Sequence, residues 1–500
     1  MWVEFTESYH KSIKNKLIDR GDKMLASKPR IGLFATVDEL YSTAFDLTEI
    51  DKVVRDDVNK LIKNLSSQNE VFFKKIARTE KDGIEVGKYF YNLDVDLIII
   101  SEFVYTLDEV ILGFLRNIKK DVPILVLMVQ GYEGIPEDLT VTNFSRSWGI
   151  NGTVQLTASI PNLVDEFKYN FLVGYPGEKK ISDKIDIIAK AAWVVNSLKK
   201  AKLAYLPGVF KGMHDNWDNN AKLEKIFGVE LDWLTFSDVV KKIRDIDEDE
   251  IKKEVEDIKS KYKVIEPEYV DMYDEARMYL GVKKLIKDRN LSGLTITVDP
   301  NNCNEFMDFR VLGYYTISKL MGSLFACADE GDMSNVIAQL ILGKVTGNQV
   351  QQWENWAFDK KNNTVMGGHS GIGAASLAKN PDEIYVRNLM YDTYTLPNGE
   401  VRKGFAFNFV LKPGKVTMLT LGSMNDKYKF KIIRGTAVDH KLLDIHSPFA
   451  VIKFDNISVE EYFERICRFG CGKHFALAYG DVSETCVEVA KNLKLEYLLV

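Results

Sequence analysis

The chain has 500 residues, 46% of them apolar and 28% charged, and a formal net charge of −6. That length and apolar content suit two to four globular domains with sizeable cores. The slight acidity argues against a nucleic-acid partner, and five cysteines, an odd number with no secretory context, point to reduced thiols in a cytoplasm.

The first residues, MWVEFTESYHKSIKNKL, contain no apolar h-region, so no signal peptide is expected. Residues 1–175 form the first expected domain. Short apolar runs at IGLFAT (31–36), DLIIIS (96–101) and PILVLMVQ (123–130) alternate with helical patterns such as DKVVRDDVNKLIKNL. Continuous apolar strands between amphipathic helices predict a parallel sheet covered on both faces. None of these runs is long enough to span a bilayer. GYPGEKK (174–180) reads as a linker.

Residues 176–350 form a second expected α/β domain. It opens on a helix with Ser182 as its expected N-cap, and has strand candidates at LAYL (203–206) and LTITVD (294–299). Its last part, FACADEGDMSN (325–335), crowds Asp329, Glu330 and Asp332 just before an apolar helical face of Val336, Ile337, Leu340 and Ile341. Asp332 is placed to cap that helix, where the positive end of the dipole favours carboxylates. Capping explains Asp332 but not Glu330; Asp329 reads as solvated.

Residues 351–500 form a third, β-rich domain. Period-two alternation in GFAFNFVL and KYKFKII, with Pro413-Gly414 as an expected turn, predicts antiparallel strands. The end of the chain reads as a helix followed by a short strand. The expected fold class is therefore α/β, with two consecutive Rossmann-like parallel-sheet domains followed by a mainly antiparallel C-terminal domain.

Two further stretches hold chemistry. WENWAFDKKNNTVMGGHSGIG (353–373) carries Glu354 between tryptophans and His369 among glycines. A phosphate cradle normally leads from a strand into a helix, and only a short helix could follow here. A nucleophile elbow needs G-x-S-x-G, and Gly368-His369-Ser370-Gly371-Ile372 lacks the last glycine. A metal-ligating histidine is the third reading. In CRFGCGKHFALAYG (467–480), Cys467, Cys471 and His474 have a zinc-like spacing but no second close pair. The two cysteines read better as small buried hydrophobes.

Taken in order, E-G-D, then E-N-W, N-N-T-V-M-G-G-H and K-H-F-A-L-A-Y-G resemble the L-arabinose isomerase and L-fucose isomerase superfamily, closest to its arabinose isomerase branch. The resemblance runs over roughly residues 200–500. It implies four metal ligands, Glu330, Glu354, His369 and His474, with Glu330 and Glu354 also the catalytic acid–base pair. It extends to GVFKGMHDN (208–216), where it implies that Met213 lines a sugar pocket; Gln130, at the end of an apolar strand, is a further candidate sugar contact. The implied cofactor is Mn²⁺ or another divalent cation such as Co²⁺ or Mg²⁺, because a mixed carboxylate and imidazole set suits such ions.

The implied activity interconverts an aldose and its ketose, first L-arabinose and L-ribulose, through an enediolate stabilised by the metal. L-Fucose or another aldose is the alternative within the superfamily. The implied partners are a small sugar and copies of the chain itself, a trimer or hexamer with active sites at subunit interfaces, with no membrane involved. No G-x-G-x-x-G calls for a nicotinamide or flavin. Two readings compete. A noncatalytic sugar-binding protein would also fit two consecutive α/β domains, but has no need of a metal flanked by two acids. A two-histidine oxygenase would usually keep its ligands on one barrel.

Overall fold

The computed structural model describes residues 28–37, 47–165, 167–297, 311, 313–390, 394–395, 399 and 401–500. His10, Cys303 and the last two positions of the strand expected at 294–299 lie outside them. The chain divides into two compact units, the first ending at Asn196 and the second running from Ser197 to Val500. No helix among the described residues is long and apolar enough to cross a membrane.

In the first unit, β1 (Arg30–Thr36), β2 (Glu70–Phe72), β3 (Leu97–Glu102), β4 (Ile124–Val129) and β5 (Tyr169–Gly174) form a parallel sheet in the order β2-β1-β3-β4-β5. Every residue of β3, LIIISE, is buried. That follows from helices on both faces. Helices α1 (Leu47–Leu65) and α5 (Lys179–Leu198) pack on one face; α2 (Glu80–Leu93), α3 (Asp108–Leu115) and α4 (Gly149–Ser159) pack on the other. Ser182 does not cap α5. The helix starts at Lys179, and the Ser182 hydroxyl donates to the Lys179 carbonyl at 2.9 Å from inside the first turn.

The second unit holds two large sheets and two small ones. Strands β6 (Lys202–Leu206), β7 (Glu230–Trp233), β8 (Gly293–Ile296) and β9 (Ala326–Asp329) are parallel, in the order β9-β8-β6-β7. Helices α6 (Tyr269–Arg289), α7 (Tyr314–Gly322) and α8 (Met333–Thr346) belong to this unit. The other large sheet has six antiparallel strands: β10 (Gln351–Asp359), β11 (Thr364–Gly368), β12 (Gly414–Met424), β13 (Lys427–Val438), β14 (Phe449–Lys453) and β15 (Phe475–Tyr479) run in the order β12-β15-β10-β11-β14-β13. Because β12 also pairs with β13 along its whole length, the six strands close into a barrel. The chain ends with α9 (Ser483–Asn492) and β16 (Glu496–Leu499), the latter parallel to β13.

The barrel's hairpin does not turn at Pro413-Gly414. It turns between β12 and β13 at Asn425-Asp426, both left-handed with φ of 50° and 64°. Two successive positive φ values are what a tight hairpin turn needs. The alternating Phe405, Phe407, Phe409 and Leu411 are all buried, but so are the residues between them. Only Ala406–Asn408 is a strand there, and it pairs with Tyr385–Arg387 in a separate small sheet.

Helix α8 joins the two large sheets. It contacts β8 and β9 on one side and β12 and β15 on the other, so it is buried nearly all round. Its N-terminus is thereby fixed at the carboxyl end of β9, facing the barrel.

One buried acid gives this unit a pH signature. Glu275, on α6, is fully enclosed, and burial pushes its carboxyl up to about 8 against the opposing N–H groups of Tyr315 and Gly313. A folded-state value above the ordinary 4.5 means the folded chain holds more protons than the unfolded one between those values. Its contribution to stability is therefore full below about pH 4.5, falls as pH rises, and levels off above about 8. Urea midpoints at pH 5 and pH 8 should differ less in Glu275→Gln than in the parent; an equal difference would remove Glu275 as its source.

Candidate metal centre

The carboxyl end of β9 and the rim of the barrel bring one cluster together. Among the described residues, Glu330, His369 and His474 place ligand atoms within 4.8 Å of one another. Glu330 follows β9 directly, His369 follows β11, and His474 precedes β15. Glu330 Oε2 is 3.3 Å from His474 Nε2, and Glu330 Oε1 is 4.0 Å from His369 Nε2. Glu354, within β10, stands at the edge. Its Oε2 is 3.9 Å from His474 Nε2, and its Oε1 accepts a hydrogen bond from the Trp356 indole at 3.0 Å.

The backbone at Glu330 is held in an uncommon conformation. Its φ is +64°, and that of Gly331 is +76°. A Cβ on Gly331 would lie 2.4 Å from the Gly208 carbonyl oxygen and 2.5 Å from the Val209 Cα. Glycine is thus required both by sterics and by φ. The turn is tied on both sides: Glu330 N donates to Asp329 Oδ1 at 2.8 Å, and the Glu330 carbonyl accepts from Phe210 N at 3.2 Å. Asp329 is therefore buried and bonded rather than solvated. Strained backbone held by its surroundings is a recurring feature of functional sites. Near His369, Gly367 and Gly368 serve close packing: added Cβ atoms would lie 2.0 Å from the carbonyl oxygens of Glu354 and Pro448.

Asp332 does two things. Oδ1 accepts the Asn335 N–H at 2.7 Å and caps α8; Oδ2 pairs with His474 Nδ1 at 2.8 Å. A carboxylate on one ring nitrogen leaves the other to point at Glu330. At the same helix end, half-buried Asp218 accepts from Ser334 N at 3.0 Å, Ser334 Oγ at 2.7 Å and Tyr428 OH at 2.9 Å. Burial and the neighbouring Asp332 push its carboxyl up to about 7.

Burial sets the charges in the cluster. It drives the His369 imidazole below its ordinary value, toward the neutral form. It acts the same way on His474, but Asp332 and Glu330 outweigh it and hold that ring's value up. Burial would raise the Glu330 carboxyl; His369, His474 and Lys473 together keep it below the ordinary range. Both nitrogens of His369 and Nε2 of His474 are buried without a hydrogen-bond partner among the described residues. Buried imidazole nitrogens without partners are costly, and a cation between one nitrogen of each ring and Glu330 would satisfy those two. The donor set therefore fits a divalent ion.

Lys473 was not singled out from the sequence. Its Nζ lies 3.0 Å from Glu330 Oε2 and 3.1 Å from the Met213 sulfur, and its backbone N donates to Asp215 Oδ2 at 3.2 Å. Its place beside His474 was a signal, but the direction of its side chain could not be read from the sequence. Met213 thus sits at the rim of the cluster. Gln130 belongs to the first unit, where its side-chain amide donates to the carbonyl oxygens of Tyr132 and Gly134 at 2.8 and 3.2 Å. Cys467 is exposed, not a buried hydrophobe, and Cys471 is half-buried, its thiol toward the Lys429 carbonyl. His474 is turned to Glu330 and His369 instead of these thiols.

Comparison with known proteins adds three findings. Residues 218–347 match the family model described as the L-arabinose isomerase central domain. A sulfoquinovose isomerase from Priestia aryabhattai is 25% identical over 459 residues, covering 85% of this chain and 98% of that one. An L-arabinose isomerase from Pediococcus pentosaceus is 21% identical over 394 residues, covering 77% of this chain and 80% of that one.

Proposed function

We infer that the chain is a member of the arabinose isomerase superfamily and acts as an aldose–ketose isomerase. We propose that Glu330, Glu354, His369 and His474 hold a divalent cation, Mn²⁺ first and Co²⁺ or Mg²⁺ as alternatives, as suits a mixed oxygen and nitrogen set. The observation carrying this reading is the convergence of two buried imidazoles, whose Nε2 atoms have no hydrogen-bond partner among the described residues, with Glu330. When bound, such an ion would polarise the substrate carbonyl and stabilise developing negative charge.

Glu330 and Glu354 are proposed to move the protons. One carboxylate takes the hydrogen from C2, and the C–H electron pair becomes the C1–C2 double bond as the carbonyl pair moves to O1. The hydroxyl proton passes from O2 to O1, and a proton returns to C1 as the carbonyl forms at C2. Met213 is proposed as a sugar contact because its sulfur lines the rim beside Lys473. Gln130 keeps that proposal on resemblance alone, as does a cytoplasmic trimer or hexamer.

L-Arabinose is one proposed substrate. Sulfoquinovose is the other, favoured by the fuller overlap with the isomerase named for it. The test is a panel of aldoses containing both, incubated with Mn²⁺ before and after EDTA. Ketose formation that EDTA abolishes is expected. No product from any sugar, with EDTA making no difference, would overturn the reading.

A further inference from the structure

Lys473 carries a positive charge into a site whose four proposed ligands leave it no task. Its side chain is 36% exposed, so it reaches the cluster from the open side. Its base is fixed by the bond from its own N–H to Asp215, and its tip lies between Glu330 Oε2 and the Met213 sulfur. The carboxylates that face it are Glu330, Asp215 and Glu354; the imidazoles are His369 and His474. On the opposite side, His474 is backed by Asp332 and enclosed. An ammonium 3.0 Å from a carboxylate proposed to move the C2 proton stands on the side of the cluster where the C1–C2 end of a sugar would meet that carboxylate.

We propose that Lys473 is a further catalytic residue, donating a hydrogen bond to the sugar oxygen on which negative charge builds as the C2 proton leaves. The assignment rests on the isomerase reading above. In the forward direction the C2–H bond breaks, its proton goes to a carboxylate, and the displaced carbonyl pair collects on O1, where the Lys473 N–H meets it. Lys473 keeps its own proton throughout. A donor aimed at charge that exists only in the transition state raises kcat more than it lowers KM. A cation that merely neutralised Glu330 would not distinguish an enediolate from a neutral sugar.

Two ligands separate these roles. One is a hydroxamate whose C(O)–NHO group replaces C1 and C2 of the aldose that the parent enzyme isomerises, as a mimic of the enediolate. The other is the corresponding alditol, neutral at both carbons. Affinities are measured by calorimetry at one fixed Mn²⁺ concentration in the parent, Lys473→Met and Lys473→Gln, with metal content checked by elemental analysis. The expected result is a ~100-fold loss of hydroxamate affinity and of kcat in both variants, with alditol affinity and metal content within about threefold of the parent. If one variant misfolds, the other reads the same quantities. Equal losses for the two ligands, or no loss for the hydroxamate, overturn the assignment while leaving the isomerase intact. A parent enzyme that isomerises no sugar overturns the isomerase reading, and this one with it.

Discussion

Glu330→Gln is expected to lower kcat by more than about 10³-fold and to strip the site of most of its metal while leaving the fold intact. The amide keeps the size and shape of the carboxylate, so the strained turn at residues 330 and 331 has no reason to move. On the roles proposed for Glu330, two functions go at once. A positioned general base contributes up to about 10⁴-fold, and the amide oxygen is a poorer ligand than the carboxylate beside His369 and His474. Glu354→Gln provides the contrast. Glu354 stands 3.9 Å from His474 and is held by the Trp356 indole, at the margin of the three-residue cluster. Its amide should abolish turnover to a similar extent but retain more metal. Circular dichroism, Tm and elemental analysis of the two variants separate the effects. Turnover near the parent level in either one removes that residue from proton transfer.

The legible parts of this fold were those in which one physical term dominates. IGLFAT, DLIIIS and PILVLMVQ read as strands because parallel strands covered on both faces must be apolar throughout, and β1, β3 and β4 occupy those runs. The cap at Asp332 was legible because a helix start needs an acceptor for its free N–H groups. Features that rest on tertiary context were not. Ser182 has the chemistry of a cap, but the helix begins a turn earlier, at Lys179. The hairpin turn had a signal in Asn425-Asp426, residue types that tolerate positive φ, yet Pro413-Gly414 offered a stronger local cue. Barrel closure depends on β12 meeting β13 and β15 at once, and no local pattern encodes that. In the site, the carboxylates and imidazoles stood out through the motifs that resemble the superfamily. The left-handed turn at Glu330, the burial of Asp329 and the reach of Lys473 became visible only with the chain folded.

Asp332 offers the sharpest test of how the helix and the site share one side chain. Asp332→Ala should lose about 1 kcal/mol of stability from the missing cap and about 10- to 100-fold in metal affinity from the loss of the bond that orients His474. Asp332→Asn divides the two effects, because asparagine caps helices about as well as aspartate. If its oxygen keeps the Asn335 N–H, its amide nitrogen must face His474 Nδ1. A donor there forces that ring nitrogen to accept, and the proton moves to Nε2, the atom that points at Glu330. A protonated Nε2 cannot bind a cation. Asp332→Asn should therefore match the parent in urea denaturation within about 0.5 kcal/mol, as cap exchange predicts, yet bind Mn²⁺ at least as poorly as Asp332→Ala. If the amide flips instead, the oxygen serves His474 and the cap is lost, so stability falls and metal binding survives. Either pattern follows from one carboxylate doing two jobs; an Asp332→Asn protein equal to the parent in both stability and metal affinity would show that Asp332 does not do both.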